Sequence, residues 1–199
     1  MNDYGITNRA SSSSLSGQPV YPKKLNHIAI SVSDLDQATK WYKEVLGFTV
    51  VGGPVEFIID DSQAGIALKD IHGPNLKKMR MIWMSSANQI GFEIIEYLEP
   101  KAVRRKENFE YWKSGITHIC ITDPNIEDLC HKISETGGKQ RSQVWEIVPA
   151  KGYKMAFCED PFGNIIEIYS NDYEQTVSSI SYANYSNTTN SSPLFLSDI

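Results

Sequence analysis

The chain has 199 residues, 41% of them apolar and 22% charged, with a formal net charge of -5. That composition is globular and can bury one sizeable core or two small ones, and an acidic balance without a basic stripe argues against a nucleic-acid partner. No apolar run approaches the roughly 20 residues of a membrane helix, and the N-terminus lacks the charged-then-apolar order of a secretory signal, so no membrane contact and a cytoplasmic location are expected.

Residues 1–22 are polar, with the run Ser11-Ser12-Ser13-Ser14, and read as a flexible tail. A first module then spans 23–100. Leu25-Asn26-His27-Ile28-Ala29-Ile30-Ser31 has strand chemistry. Ser33 with Asp36 resembles a capping box, and Leu35, Ala38, Tyr42, Val45 and Leu46 recur at helical spacing until Gly47 stops the helix. Phe48 to Val51, Val55 to Ile59, Lys78 to Met84 and Gly91 to Tyr97 follow as strands, with Gly52-Gly53-Pro54 and Ser85 to Gln89 as turns. The order is βαβββ.

A linker, 101–114, holds Lys101, Arg104, Arg105 and Lys106 among Glu99, Glu107 and Glu110, the pattern of a solvated face. The second module, 115–172, repeats the first. Ile116-Thr117-His118-Ile119-Cys120-Ile121-Thr122 matches the opening strand at an offset of 91 residues. Asp123-Pro124 supplies a cap and a first-turn proline, and Leu129 and Ile133 give the buried face up to Gly137-Gly138. Strands near Lys139 to Arg141, Trp145 to Val148 and Lys154 to Cys158 precede the turn Asp160-Pro161-Phe162-Gly163 and a last strand, Asn164 to Tyr169. Residues 173–199, rich in Ser, Asn and Thr, read as a second flexible tail, in which Pro193 to Leu196 could dock on the body or a neighbouring subunit. Cys120, Cys130 and Cys158 form no even framework and no CxxC pair, and read as small hydrophobes in a reducing compartment.

Each copy offers one histidine and one strand glutamate. His27 and His118 open the first strands; Glu93 and Glu167 sit in Phe92-Glu93-Ile94 and Ile166-Glu167-Ile168. An ionised carboxylate inside an apolar strand costs several kcal/mol unless it is paired or metal-bound. Imidazole and carboxylate together suit Ni, Zn, Co, Fe or Mn and leave coordination positions open for substrate. Glu96 lies three residues from Glu93 and faces the other side of the strand; aligning the two copies selects Glu93 and leaves Glu96 and Glu99 as solvent or rim residues. His72 reads as a loop residue and His131 as a surface one. His27 to Glu93 is 66 residues and His118 to Glu167 is 49, so the first copy carries 17 extra, placed at Asp60 to Leu76 as a substrate loop.

These paired βαβββ units, the histidine and glutamate of each, and the segment Glu159-Asp160-Pro161-Phe162-Gly163-Asn164-Ile165-Ile166-Glu167-Ile168 resemble the vicinal oxygen chelate superfamily over about residues 24–170. That superfamily includes glyoxalase I, methylmalonyl-CoA epimerase, extradiol dioxygenases and fosfomycin or bleomycin resistance proteins. The resemblance implies an α+β fold in which the two modules form a curved mixed sheet around a metal-binding cleft. It implies one divalent metal ion held by His27, Glu93, His118 and Glu167, the full ligand set of a bacterial glyoxalase I, with Glu167 as catalytic base and a small-molecule substrate. It is compatible with a homodimer. The glutathione-contact pattern of glyoxalases is absent. The activity expected first is a lyase or isomerase moving a proton alpha to a chelated carbonyl; a non-haem iron dioxygenase and a metal-free binding protein are the other two readings.

Overall fold

The computed structural model describes residues 21–104 and 110–187, with the side chains of 181–187 left aside. The N-terminal tail expected over 1–22 falls almost wholly outside these residues, as do Arg105 and Lys106 of the linker and Pro193 to Leu196.

The first module is β1 (His27–Val32), α1 (Leu35–Leu46), β2 (Thr49–Ile58), α2 (Gln63–His72), β3 (Lys78–Ser85) and β4 (Gly91–Glu99). Its sheet runs β1-β4-β3-β2, with β1 parallel to β4 and the rest antiparallel. The second is β5 (Ile119–Thr122), α3 (Ile126–Glu135), β6 (Lys139–Gln140), β7 (Trp145–Val148), β8 (Tyr153–Glu159) and β9 (Ile165–Tyr169), in the order β5-β9-β8-β6 with β7 also on β8. A single 3-10 turn, Pro149–Lys151, links β7 to β8. The two βαβββ units are therefore present in an α+β fold, but as two separate mixed sheets rather than one.

Strand alternation divides each sheet into two faces. Ile28, Ile30 and Val32 of β1, Phe92 and Ile94 of β4, Ile119 and Ile121 of β5, and Ile166 and Ile168 of β9 all join one core with α1 and α3. That core spans both modules and is crossed by polar ties: the Trp41 indole N–H donates to Thr136 Oγ1 at 2.9 Å, and Lys132 Nζ to the Glu44 carbonyl at 2.6 Å. His27, Glu93, His118 and Glu167 have the opposite parity, so they stand on the faces away from the helices.

Local departures from the expected elements have local causes. Helix α1 is capped by Asp34, whose side chain accepts from the Gln37 N–H, not by Ser33. Asp123 turns the chain by accepting from the Asn125 N–H at 2.8 Å, so α3 starts after Asn125. Gly52-Gly53-Pro54 is a bulge inside β2, not a turn. The insert expected as a loop forms α2, capped by Ser62, whose hydroxyl accepts from the Gly65 N–H. Leu68 of α2 packs against the cluster of Leu76, Met79, Met81 and Ile95, so α2 covers part of the first sheet's face away from α1. His72 ends α2 and its Nδ1 lies 3.1 Å from the Tyr97 hydroxyl.

The expected C-terminal tail opens instead with a fourth helix, α4 (Tyr173–Asn187). Thr176 and Ser179 are buried, and Lys151 Nζ donates to Ser179 Oγ at 2.9 Å. Residues 188–199 lie outside the described residues. No helix among the described residues is long and apolar enough to cross a membrane.

Candidate metal centre

The four ligands expected from the sequence form two pairs, one in each module. In the first, parallel pairing sets Ala29 beside Glu93 on the neighbouring strand, and His27 Nε2 comes 3.8 Å from Glu93 Oε2. In the second, Cys120 sits beside Glu167, and His118 Nε2 is 3.1 Å from Glu167 Oε2. Glu167 is buried, Glu93 less so.

Both imidazoles are oriented by the residue before them, a feature that pairing of the ligands alone does not reveal. His27 Nδ1 lies 2.8 Å from Asn26 Oδ1, and His118 Nδ1 lies 2.9 Å from Thr117 Oγ1. An Nδ1–H donating to Asn26 Oδ1 leaves the Nε2 lone pair directed at the carboxylate, the arrangement found around metal-ligating histidines. The sequence signal was available, because Asn26 and Thr117 hold the same place in the repeat.

Cross-strand neighbours differ between the copies. Trp83 of β3 is opposite Glu93 and its indole N–H donates to Glu93 Oε1 at 3.1 Å. Phe157 of β8 is opposite Glu167, and its ring meets that of His118 edge-on at 5.3 Å. Partial desolvation and the Glu167 carboxylate push the Cys120 thiol up to about 12, keeping it protonated beside that carboxylate. Cys120 is exposed, unlike Cys130 and Cys158, which are the buried small hydrophobes expected.

Glu96 is not a rim residue. It faces the helix side, accepts from the Leu35 N–H at the start of α1 and pairs with Arg80 at 3.3 Å. Glu99 is exposed and pairs with Lys77, and His131 is exposed beside Glu135. Arg104, expected in a solvated face, pairs with Glu159, which is buried and also bound by Arg141 at 2.9 Å.

Two cavities of about 400 Å³ are each lined by residues of both β1 and β5. Ser31, Arg104, Thr117, His118 and Asn164 line the first; Phe48, Ser86 and Cys120 line part of the second. The donor chemistry fits a divalent ion within each pair. Ligand bonds of roughly 2.0–2.2 Å at tetrahedral or octahedral angles put two donor atoms about 3–3.5 Å apart; the His118–Glu167 separation of 3.1 Å falls in that range and the His27–Glu93 separation of 3.8 Å lies beyond it. The pairs are not gathered into one centre: among the described residues no group of three or more His, Cys, Asp or Glu side chains is close enough to hold a metal ion.

The profile of the Glyoxalase/Bleomycin resistance protein/Dioxygenase superfamily matches residues 24–168, which contain both modules and both pairs. The chain belongs to this superfamily. A lactoylglutathione lyase of Schizosaccharomyces pombe is 26% identical over 171 residues, covering 83% of this chain but only 53% of the yeast protein, so the chain spans about half its length. A virulence protein of Salmonella typhimurium is 27% identical over 148 residues, covering 73% of this chain and 82% of that protein. Among solved structures, a glyoxalase family protein from Bacillus cereus has a TM-score of 0.61 at 15% identity, covering 75% of this chain and 95% of that one. The trypanothione-dependent glyoxalase I of Leishmania major has a TM-score of 0.52 at 19% identity, covering 85% and 100%. At such identities these structures show the fold alone.

Proposed function

We propose that the protein is a metal-dependent enzyme of this superfamily, a glyoxalase-like lyase or isomerase that moves a proton alpha to a carbonyl. The observation that carries this reading is the duplicated His–Glu pair, each with its imidazole Nδ1 tethered and its Nε2 facing a carboxylate oxygen. His27, Glu93, His118 and Glu167 hold the ion, one of Ni, Zn, Co, Fe or Mn. When bound, the ion polarises two adjacent substrate oxygens and so acidifies the neighbouring C–H.

The protein's own groups do the rest. Glu167, buried and cross-strand from Phe157, receives the alpha proton and returns it to the adjacent carbon. The half-site of each module is completed by the other module's half-site. A second copy of the chain supplies this, facing its second-module pair to the first-module pair of its partner. Leu25 and Ile116, two residues before each histidine and 55% and 82% exposed, are apolar surface of the kind such a contact covers.

The test is an aerobic and anaerobic screen of the metal-loaded protein with hemithioacetals of several thiols and with catechols. Turnover of a hemithioacetal with exchange of its alpha proton in deuterated water, independent of oxygen, supports the reading. Oxygen uptake with catechols would replace it with a dioxygenase, and failure of the purified chain to bind a divalent metal would replace it with a binding protein.

A further inference from the structure

The first of the two cavities holds a cation that the proton-transfer reading does not use. Arg104 lines it, with its side chain half-exposed and its Nη2 donating to Glu159 Oε1. Glu159 is buried, and its Oε2 accepts from Arg141 Nη1 at 2.9 Å, so this carboxylate is shared and does not neutralise Arg104 alone. A buried carboxylate paired in this way contributes little net stability, because desolvation offsets the Coulomb attraction. Its effect on Arg104 is to fix the guanidinium in place. The last turn does the same from another side. A Cβ on Gly163 would lie 3.0 Å from Arg104 Nε and 3.6 Å from its Cγ, so the arginine lies close across a glycine that leaves it room. Among the described residues Glu159 is the only partner of Arg104, and a guanidinium with five N–H donors has others left to give.

Around this charge the cavity is largely apolar. Ile28 and Ile30 of β1, Val103 and Phe162 line it, and Val103 is 88% exposed. Its volume of about 400 Å³ is within the roughly 300–1,000 Å³ of small-molecule sites. We propose that this cavity binds a small organic carboxylate with an apolar body, anchored by Arg104. A single guanidinium matches one negative charge, its planar fork suits a carboxylate, and the hydrocarbon walls favour an apolar body. Because Glu159 and Gly163 hold the guanidinium beforehand, little ordering of the anchor is left to binding. The anchor is none of the four His and Glu side chains and needs no ion, so the proposal stands apart from the metal-centre reading. His118 lines the same cavity, which puts a bound molecule beside the second His–Glu pair.

The experiment is calorimetric titration of the full metal-free chain with 4-phenylbutanoate and with 4-phenylbutanamide, which has nearly the same shape and no charge. The carboxylate should bind about 10- to 100-fold more tightly than the amide, the effect of hydrogen bonding to a charged group. Acetate, which has the charge and almost no body, should bind at least about tenfold more weakly than 4-phenylbutanoate. Arg104→Gln should abolish the preference for the carboxylate, and Arg104→Lys, which keeps the charge but not the fork, should retain part of it. Thermal melting shows whether each variant is folded. No saturable binding of 4-phenylbutanoate overturns the proposal, as does a preference for it that persists undiminished in Arg104→Gln, or acetate binding as tightly. Displacement of 4-phenylbutanoate by inorganic phosphate at equal concentration would overturn it in favour of a phosphate site. Should Arg104→Gln fail to fold because Glu159 loses a partner, backbone-amide NMR of the unmodified chain decides. Shifts on adding 4-phenylbutanoate that cluster at residues 28–31, 116–119 and 162–165 support the site, and shifts that cluster elsewhere overturn it.

Discussion

The Tyr42 hydroxyl of the first module donates to Asp160 Oδ2 of the second at 2.8 Å, inside the core that both modules share. Asp160 also accepts from the Phe162 and Asn164 backbone N–H groups and from Asn164 Nδ2, so it both shapes the last turn and ties that turn to α1. Burial nonetheless holds its carboxyl above the ordinary carboxylate range. Ionising it therefore works against folding, and this cost develops as pH rises from about 4 through the folded-state value. Tyr42 offsets part of it.

Tyr42→Phe should accordingly destabilise the protein by about 1–3 kcal/mol at pH 7, the range for leaving a buried acceptor one donor short. The loss should shrink as pH falls toward about 3, where Asp160 is mostly protonated in folded and unfolded chains alike. Urea midpoints at the two pH values check the sign; a larger loss at low pH would show that Asp160 is not the group involved.

Alanine at His27, Glu93, His118 or Glu167 should each lower bound metal, since each removes one of four donors. Glu96→Ala should leave metal content unchanged but cost stability, because Glu96 serves the N–H of Leu35 and the Arg80 guanidinium on the opposite face. Elemental analysis paired with thermal melting separates the two effects. Metal loss in Glu96→Ala with full occupancy in Glu93→Ala would reverse the assignment.

The strand histidines and glutamates were legible because the repeat superimposes them, and so was the parity that puts them away from the helices. What escaped was carried by residues without an apolar stripe. Helix α2 exposes Ile66 and Ile71 and buries Gly65, so its spacing does not read as amphipathic. Helix α4 turns Thr176 and Ser179 inward, small polar residues that a search for apolar periodicity passes over. The Trp83–Glu93 hydrogen bond joins two strands and leaves no trace in either strand's own pattern. That the pairs form within modules and not across them depends on how the two sheets sit, which no short-range pattern encodes.

A chain ending after Asp172 should lose about 1–2 kcal/mol, through the Lys151–Ser179 hydrogen bond and the packing of α4 along β7. Its metal content should be unchanged, since His27, Glu93, His118 and Glu167 all precede α4 and lie on or next to β1, β4, β5 and β9. Denaturant midpoints equal to those of the full chain would mean that α4 contributes nothing to folding.

The proposed sharing of centres between two copies has a complementation test. His27→Ala and His118→Ala chains each lack one half of every centre, but a dimer of one with the other rebuilds one intact centre of two. Mixing them under conditions that exchange subunits should restore roughly one quarter of the metal sites, since half the dimers are mixed. No recovery, with both variants folded, would overturn the sharing of centres between copies.

Glu167→Gln tests the chemistry. The amide oxygen can still coordinate, so part of the metal should remain, while an amide is no useful base, so turnover of a hemithioacetal should fall by about 10² or more. The Glu93→Gln variant should differ: with Trp83 still donating to the side-chain oxygen, the amide nitrogen is turned toward the metal position, and the loss should fall on metal binding more than on turnover per bound ion. Rates normalised to metal content, together with anaerobic exchange of the substrate's alpha proton, distinguish the two carboxylates. Equal defects per bound ion in both variants would remove the distinction between ligand and base, and strict dependence of product on oxygen would sink proton transfer as the reaction.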